Sequence, residues 1–146
     1  MTSISGDEIN SLDVLLQQLA MTIRRQIANI ASAYDLTVAQ YLALMTIYRS
    51  DSYCTMSELA DNTMQISATM TGIINRLENR GWVKRELDPS DRRVWRVNLT
   101  PDGKHQLEQL EAERRKLTEQ VLCQFTTQEQ QTLHALVDKY LAITIK

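Results

Sequence analysis

Two short runs of alternating residues interrupt a chain whose other segments have helical periodicity, and this interruption limits the possible folds most strongly. The runs are WVKREL (82–87) and RVWRVNL (93–99), and each follows the two-residue period of a β-strand. The connector DPSDR (88–92) contains Asp and Pro, which build turns and do not fit a central strand. The sequence therefore predicts a β-hairpin with a protruding loop.

The segment before the hairpin begins with one long amphipathic helix. Ser5 and Glu8 have the spacing of a capping box, and apolar residues recur every three or four positions from Ile9 to Tyr34, which is the helical period. A helix of this length spans about 40 Å. That is more than a small core covers, so we expect the helix to find a partner.

Three shorter helices follow in the prediction. Capping boxes at Thr37 with Gln40 and at Thr55 with Glu58 begin the first two, and Ser67 is expected to cap the third. The inward stripe of the third helix is Met70, Ile73, Ile74 and Leu77, and Gly81 is placed to end it in the left-handed conformation. Two short helices joined by a tight turn form a helix-turn-helix, and the hairpin makes it a winged helix.

The sequence from Thr100 onwards predicts two further helices. Thr100 caps the first, with Pro101 at its first position, and the last begins either at Thr126 with Glu129 or at Thr127 with Gln130. The predicted fold class is mainly α with a small β-hairpin wing, a winged helix-turn-helix flanked by dimerisation helices.

Composition excludes several classes of protein. The chain is 43% hydrophobic and 23% charged, which is typical of a folded globular protein. It contains neither a run of eighteen apolar residues nor a recognisable signal peptide, so we expect no membrane association. Two cysteines make no disulfide framework, and a reducing cytoplasm is the expected compartment. Metal-ligand spacings, phosphate loops and nucleophile motifs are absent from the sequence, so we expect no metal, no cofactor and no enzyme.

Positive charge is concentrated around the hairpin although the chain has a net charge of −2. Residues 76–96 carry seven basic and four acidic side chains, a net charge of +3, whereas residues 1–54 and 101–146 are net negative. The basic residues are Arg76, Arg80, Lys84, Arg85, Arg92, Arg93 and Arg96. A local basic patch of this kind is what contact with a nucleic acid requires.

The order of elements and one motif resemble the MarR family of transcriptional regulators. The wing motif of that family, Asp-x-Arg-x-x-x-Val-x-Leu-Thr followed by Gly, is matched by Asp91, Arg93, Val97, Leu99, Thr100 and Gly103. Upstream, SATMTGIINRLENRGWVKR (67–85) resembles the recognition helix of the family and the strand that follows it. The resemblance extends over the whole chain in element order and is specific from about Thr55 to Gly103.

The resemblance implies one MarR-like domain, 1–146, that forms a homodimer. The winged helix-turn-helix occupies about 37–100, and the dimerisation helices occupy about 6–34 and 101–144. Each subunit is expected to dock on one half of a pseudo-palindromic operator in double-stranded DNA. Many relatives are repressors released by small, often aromatic, molecules, while others respond to oxidation or metals.

The recognition helix is expected to place its outward residues in the major groove. These are Ser67, Ala68, Thr69, Thr71, Gly72, Asn75 and Arg76. Arg92 and Arg93 are the candidates for insertion into the minor groove, which attracts arginine from a slim loop, and the sequence does not say which one enters. Asp91 is expected to orient an arginine. Lys84, Arg85 and Arg96 are candidates for phosphate contacts.

The sequence leaves two alternative functions open, a redox sensor and a protein-interaction module, and it also suggests a site for a small effector. Cys54 precedes a helix whose field can lower a thiol pKa, so a thiol-based redox sensor is one alternative, and Cys123 is expected to be buried. A winged helix used for protein–protein contact is the other alternative. Tyr41, Met45 and Tyr48 on the second helix are candidates for binding a small aromatic effector, or else belong to the core.

Overall fold

The computed structural model describes residues 5–50 and 52–144, which form six helices and three short strands. In chain order these are α1 (Gly6–Ala33), α2 (Val38–Arg49), β1 (Cys54–Thr55), α3 (Met56–Thr63), α4 (Ser67–Asn79), β2 (Val83–Leu87), β3 (Trp95–Leu99), α5 (Pro101–Leu122) and α6 (Thr127–Thr144). The predicted fold class is confirmed.

Local capping explains where most of the helices begin. The capping boxes predicted at Ser5, Thr37 and Thr55 are all formed. Thr126 caps α6, because its Oγ1 accepts a hydrogen bond from the backbone N–H of Glu129 at 3.3 Å, and this decides between the two predicted capping boxes. Thr100 caps α5 by accepting from the N–H of Gly103 at 3.0 Å.

The start of α4 differs from the prediction. Ile66, not Ser67, occupies the N-cap position, and no side chain accepts a hydrogen bond from the first turn. Ser67 is the first helical residue instead, because the chain enters the helix one residue earlier than the serine suggests. The end of α4 agrees with the prediction, since Gly81 has a φ of 76°.

The sheet contains one strand more than the predicted hairpin. Its order is β1-β3-β2 with both pairs antiparallel, and Cys54 of β1 pairs with Val97 of β3. A strand of two residues is too short to show a period, so it could not be predicted from the sequence. The effect of β1 is to join the base of the wing to the start of α3.

The hydrophobic core lies among the helices α2 to α4, the sheet and the adjoining ends of α1 and α5. Its largest fully buried side chains are Leu44, Leu59, Met70, Ile74, Leu77, Val97, Leu107 and Leu110. Gly103 permits a close approach here, because an added Cβ would lie 2.0 Å from the carbonyl oxygen of Trp82. This explains physically why glycine stands at that position of the wing motif.

The chain forms two compact units, the first ending at Leu110 and the second beginning at Glu111. In the second unit, α6 buries none of its side chains. The predicted extent of the winged helix-turn-helix, 37–100, stays a prediction.

Among the described residues no single helix is long and apolar enough to cross a membrane. The helices α1 and α2 reach the required length and apolar composition only when they are taken together, and the chain bends by 90° between them.

Candidate nucleic-acid interface

The rotation of α4 about its axis is fixed by the four apolar residues of its inward stripe. Met70, Ile73, Ile74 and Leu77 are all buried in the core, as predicted from their three-four spacing. The opposite face of the helix must then point to solvent. All seven predicted outward residues are exposed: Ser67, Ala68, Thr69, Thr71, Gly72, Asn75 and Arg76.

Small and polar side chains make this exposed face suitable for close contact with bases. The face carries hydroxyl, amide and guanidinium groups, which can donate or accept hydrogen bonds at base edges. The hydroxyl of Thr71 already donates to the carbonyl of Ser67 at 3.0 Å, so it is available to DNA mainly as an acceptor. A Cβ added at Gly72 would meet no atom within 4 Å, so nothing inside the protein requires glycine at this position.

The wing tip carries an arginine held in place by an aspartate. Arg93 donates from Nε and Nη2 to the two carboxylate oxygens of Asp91, each at 3.0 Å, and its side chain remains 91% exposed. This two-point contact is the geometry in which a carboxylate fixes a guanidinium plane. The bond from Arg93 also lowers the pKa of the Asp91 carboxyl.

The base of the wing loop is organised by Asp88, which the sequence analysis did not single out. Its carboxylate is buried and accepts from the N–H groups of Ser90 at 2.7 Å and Asp91 at 3.2 Å. Arg96 donates to the other carboxylate oxygen from Nε at 2.7 Å. These bonds, led by that of Ser90, lower the pKa of Asp88. An aspartate followed by Pro-Ser is typical of an Asx-turn, so the role of Asp88 in this turn could have been predicted from that pattern.

Two of the predicted phosphate contacts have partners within the protein. Arg85 donates from Nε and Nη2 to Oε2 of Glu78 at 3.0 and 2.5 Å and thereby joins β2 to α4. Arg96 is paired with Asp88 and stacks on the ring of Tyr53 at 4.1 Å. Both side chains are partly buried, and the carboxylate beside each one partly neutralises its charge.

The remaining basic residues of the patch divide into two groups. Lys84 and Arg80 have partners, because Lys84 pairs with Glu86 at 2.7 Å and Arg80 donates to backbone carbonyls at the end of α1. Among the described residues, Arg76 and Arg92 form no ion pair. The exposed positive charge of this patch therefore comes mainly from Arg76 and Arg92, and from Arg93, whose side chain stays 91% exposed although it is paired with Asp91.

The residues predicted to bind an effector lie at different depths. Tyr41 and Met45 are buried in the core, whereas Tyr48 is 41% exposed. Tyr48 lines a cavity of about 250 Å³ together with Ile47, Ser50, Ser52, Asn98, Leu99 and Lys104. The structure thus brings Tyr48 to a cavity and places the other two in the packed interior beside it.

The two cysteines are placed differently from each other. Cys54 is buried, its Sγ lies 3.6 Å from the carbonyl oxygen of Thr46, and burial raises its pKa. A thiol with a raised pKa contains little thiolate, which is the reactive form. Cys123 is exposed, so the expectation that it is buried is wrong: the apolar stripe beside it is itself uncovered in the chain.

Comparisons with known proteins agree with this arrangement. The chain matches the model of the MarR family over residues 36–95. It is 30% identical over 141 residues to the multiple antibiotic resistance protein MarR of Salmonella typhimurium, covering 96% of this chain and 97% of that protein. The apo structure of wild-type MarR from E. coli has a TM-score of 0.76 and 29% identity, with 89% of this chain and 96% of that chain covered. A MarR family protein from Bacillus stearothermophilus has a TM-score of 0.90 over 99% of this chain and 100% of that chain, at 22% identity, which shows the fold alone.

Proposed function

This chain belongs to the MarR family of transcriptional regulators, which bind DNA and are typically dimers, and we propose that it is a homodimeric repressor released by a small molecule. Its operator is a pseudo-palindromic duplex, and each subunit reads one half-site. The observation that carries this proposal is the combination of an exposed polar face on α4 with an arginine-bearing wing in the same compact unit.

The proposed reading residues are those on the exposed face of α4. Hydroxyl and amide groups near the helix start lie where a recognition helix enters the major groove. The uncapped first turn adds backbone N–H donors and the positive end of the helix dipole, which favour a phosphate group. Ser67 and Thr69 are placed for phosphate or base contact, and Asn75 and Arg76 extend the reading face.

The proposed minor-groove residue is Arg93, with Arg92 beside it. The carboxylate of Asp91 supports the proposal because it fixes the plane of the Arg93 guanidinium before DNA arrives, which reduces the entropy lost on binding. Lys84 is the strongest phosphate candidate on the strands, since it is exposed and its pair with Glu86 lies at the surface. We assign Arg85 and Arg96 mainly to holding the wing.

The exposed apolar faces of the helices support the proposed dimer. The outer part of α1 exposes Ile9, Leu12, Leu19 and Ile23, each at about half of its surface. Separately, the second unit exposes Leu117, Val121, Phe125, Leu133, Leu136, Val137, Tyr140, Leu141 and Ile143. Contiguous apolar surface of this kind marks an interface, and a second copy of the chain covers both regions in our proposal.

The proposed effector site is the cavity at Tyr48. The ring of Tyr48 and the side chain of Leu99 can contact an aromatic group, and the ammonium of Lys104 can contact a carboxylate. The cavity therefore suits a small aromatic acid, since a few polar groups orient a bound ligand. Tyr41 and Met45 lie in the core, so they contact a ligand only if the cavity deepens on binding. The raised pKa of Cys54 does not favour the thiol-sensor alternative.

The test of the function is selection of duplexes from a random pool, followed by affinity measurement with purified protein. We expect a two-fold-symmetric site with half-sites about 34 Å apart. A matched pair of variants, Thr69→Ala on the reading face and Thr118→Ala on α5, separates reading from general effects, and only the first should change the selected sequence. Recovery of a single asymmetric half-site, or of no sequence at all, would contradict the proposal.

A further inference from the structure

Arg80, the residue at the end of α4, makes a specific connection to the end of α1. Its Nη1 donates to the carbonyl oxygen of Asp35 at 3.0 Å, and its Nη2 donates to that of Tyr34 at 2.7 Å. Its Cζ lies 4.1 Å from the ring centroid of Trp82, which is buried. The side chain is therefore held by two hydrogen bonds on one side and an aromatic ring on the other.

The two carbonyls that Arg80 contacts belong to the turn that ends α1. Tyr34 is the C-cap residue of that helix, and Asp35 follows in the left-handed conformation with a φ of 52°. Carbonyls at a helix C-terminus carry partial negative charge and attract a cation. The planar fork of a guanidinium contacts both carbonyls with donors held in one rigid plane, whereas the donors of an ammonium rotate freely and fix no such geometry.

The same end of α4 is attached to the wing on another side. Glu78 accepts from the side chain and the backbone N–H of Arg85 in β2. The C-terminal end of α4 is thus joined both to the wing and to α1, while its N-terminal end is exposed and has no side-chain cap. In addition to the buried apolar stripe that begins at Met70, the C-terminal end therefore has two side-chain attachments that the N-terminal end lacks, and we expect a change in the angle of α4 to pivot near this end.

We propose that Arg80 is a positioning residue that sets the angle of α4 relative to α1 and, through it, the half-site spacing that the dimer accepts. The proposal rests on the proposed function, in which α1 is part of the dimer and α4 reads DNA. Arg80 itself does not read DNA, because its donors are directed at the turn after α1. Its contribution is to the geometry of the two recognition helices.

Small angular changes at Arg80 are large enough to alter spacing. The 13 residues of α4 extend about 20 Å, so a rotation of roughly 10° about the C-terminal end moves the N-terminus by about 3.4 Å, the rise of one base pair. Adding one base pair also turns a half-site by about 35° around the duplex. A rigid junction therefore confines the dimer to one spacing, and a loose junction admits several.

The experiment measures the affinity of full-length protein for a series of duplexes. The series contains the selected operator, versions with one or two base pairs added to or removed from its centre, and a duplex with one half-site. The test variant is Arg80→Met, which keeps the aliphatic stem over Trp82 and removes the donors. Arg80→Lys keeps the charge without the fork, and Arg24→Met removes an exposed charge from α1 as the control.

For wild type and Arg24→Met we expect the preferred spacing to bind roughly tenfold more tightly than its neighbours. In Arg80→Met this preference should fall to about threefold or less, while affinity for the single half-site is unchanged. Arg80→Lys should give a profile between the two, because its ammonium can reach one carbonyl. All proteins are compared at a temperature at which circular dichroism shows that they are folded. If Arg80→Met does not fold at any such temperature, the spacing profile of Arg80→Lys is compared with that of wild type instead.

Several outcomes overturn the positioning role. The positioning role is overturned if the Arg80 variants prefer one spacing as strongly as wild type does. An equal loss of affinity on every duplex, with a salt slope lowered by about one, also overturns it, because that is the behaviour of a phosphate contact. A wild-type protein without any preferred spacing would contradict the proposed dimeric function itself, which distinguishes the two failures.

Discussion

At the scale of single residues, the interface depends on a few side chains whose partners are now known. Arg93 is exposed but oriented by Asp91, whereas Arg85 is paired with Glu78 on α4 and Arg96 with Asp88 at the base of the wing loop. Equal charges in the sequence therefore have unequal roles, because a guanidinium that already has a buried partner gains less from a phosphate. Exposure and partners together rank the candidates for DNA contact.

Replacement of Arg93 by Ala should weaken operator binding by about 1–3 kcal/mol if this arginine enters the minor groove. The loss should be larger on operators with A·T-rich flanks, whose narrow groove attracts arginine more strongly. Affinity measured against salt concentration for wild type, Arg92→Ala, Arg93→Ala and Asp91→Ala decides the question. Asp91→Ala should give a milder loss, since it frees the arginine without removing it.

The matched arginine variants also show what would refute this prediction. Both should unfold like wild type, because exposed side chains at the wing tip support little of the core. If Arg92→Ala and Arg93→Ala both bind the operator as tightly as wild type, the wing does not contact DNA.

Replacement of Gly72 by Ala should change stability and DNA affinity in opposite directions. Gly72 is an exposed helical residue with open space around its Cα, so alanine should stabilise the fold by about 0.5–1 kcal/mol. The added methyl group would occupy space that we assign to DNA, so operator binding should weaken. Urea unfolding and operator titration measure the two effects, and unchanged or tighter binding would show that Gly72 does not face the duplex closely.

At the scale of elements, α4 and the wing are joined to each other and to the rest of the chain by identifiable contacts. Glu78 joins α4 to β2, and the pairing of Cys54 with Val97 joins the wing to the strand before α3. By contrast, the start of α4 lacks a side-chain cap and exposes Ile66. The end of α4 therefore has side-chain bonds to other elements, whereas its first turn lacks a side-chain cap.

A cap introduced at Ile66 should stabilise α4. Ile66 has φ −71° and ψ 149°, the extended conformation of an N-cap, and the residue is exposed. Ile66→Ser supplies an acceptor for the first turn and should raise the free energy of unfolding by about 1 kcal/mol relative to Ile66→Ala. The urea midpoints of the two variants give the comparison. Equal midpoints would mean that water already satisfies these N–H groups as well as a serine does.

The wing should lose order in acid through Asp88. Because the folded-state pKa of Asp88 is lowered, its stabilisation is complete above the ordinary aspartate pKa of about 3.9 and is lost as pH falls through the lowered value. Asp88→Asn should be less stable than wild type at pH 7, since the bond to Arg96 loses its charge. That difference should shrink on acidification below about pH 4. A difference that is constant from pH 7 to pH 3 would exclude this role of the carboxylate.

At the scale of the whole molecule, the described chain leaves much apolar surface uncovered. An 18-residue helix that buries none of its side chains, as α6 does, cannot derive its stability from packing within one subunit. The same holds for the outer part of α1, whose stripe is half exposed. In the proposed dimer, a second copy of the chain would cover these helices.

The dimer should behave as one unfolding unit, so its melting temperature should rise with protein concentration. Leu136→Glu on α6 should shift the protein toward a monomer, because burying a carboxylate in an apolar interface is unfavourable. Gln131→Glu adds the same charge at a polar position of α6 and serves as the control. Analytical ultracentrifugation that finds a folded wild-type monomer at micromolar concentration would disprove the dimer.

Features that depend on neighbours within a few positions could be predicted from the sequence alone. The capping boxes at Ser5, Thr37 and Thr55, the inward stripe of α4 and the left-handed Gly81 all follow from local hydrogen bonds or from the helical period. The pairing of Asp91 with Arg93 belongs to the same class, because the two residues are close in the chain. Local physics of this kind can be read from one sequence.

Contacts between distant segments depend on how the chain packs and could not be predicted from the sequence. The partners of Arg80 lie 45 and 46 positions away in the chain, and β1 is a strand only because β3 lies beside it. Ile66 occupies the N-cap position that was predicted for Ser67, because the path of the turn before α4, and not the residue type, decides where the helix begins. A sequence shows which residues are charged but not which groups their side chains contact. Packing decides whether an arginine side chain contacts a carboxylate, a backbone carbonyl or the solvent.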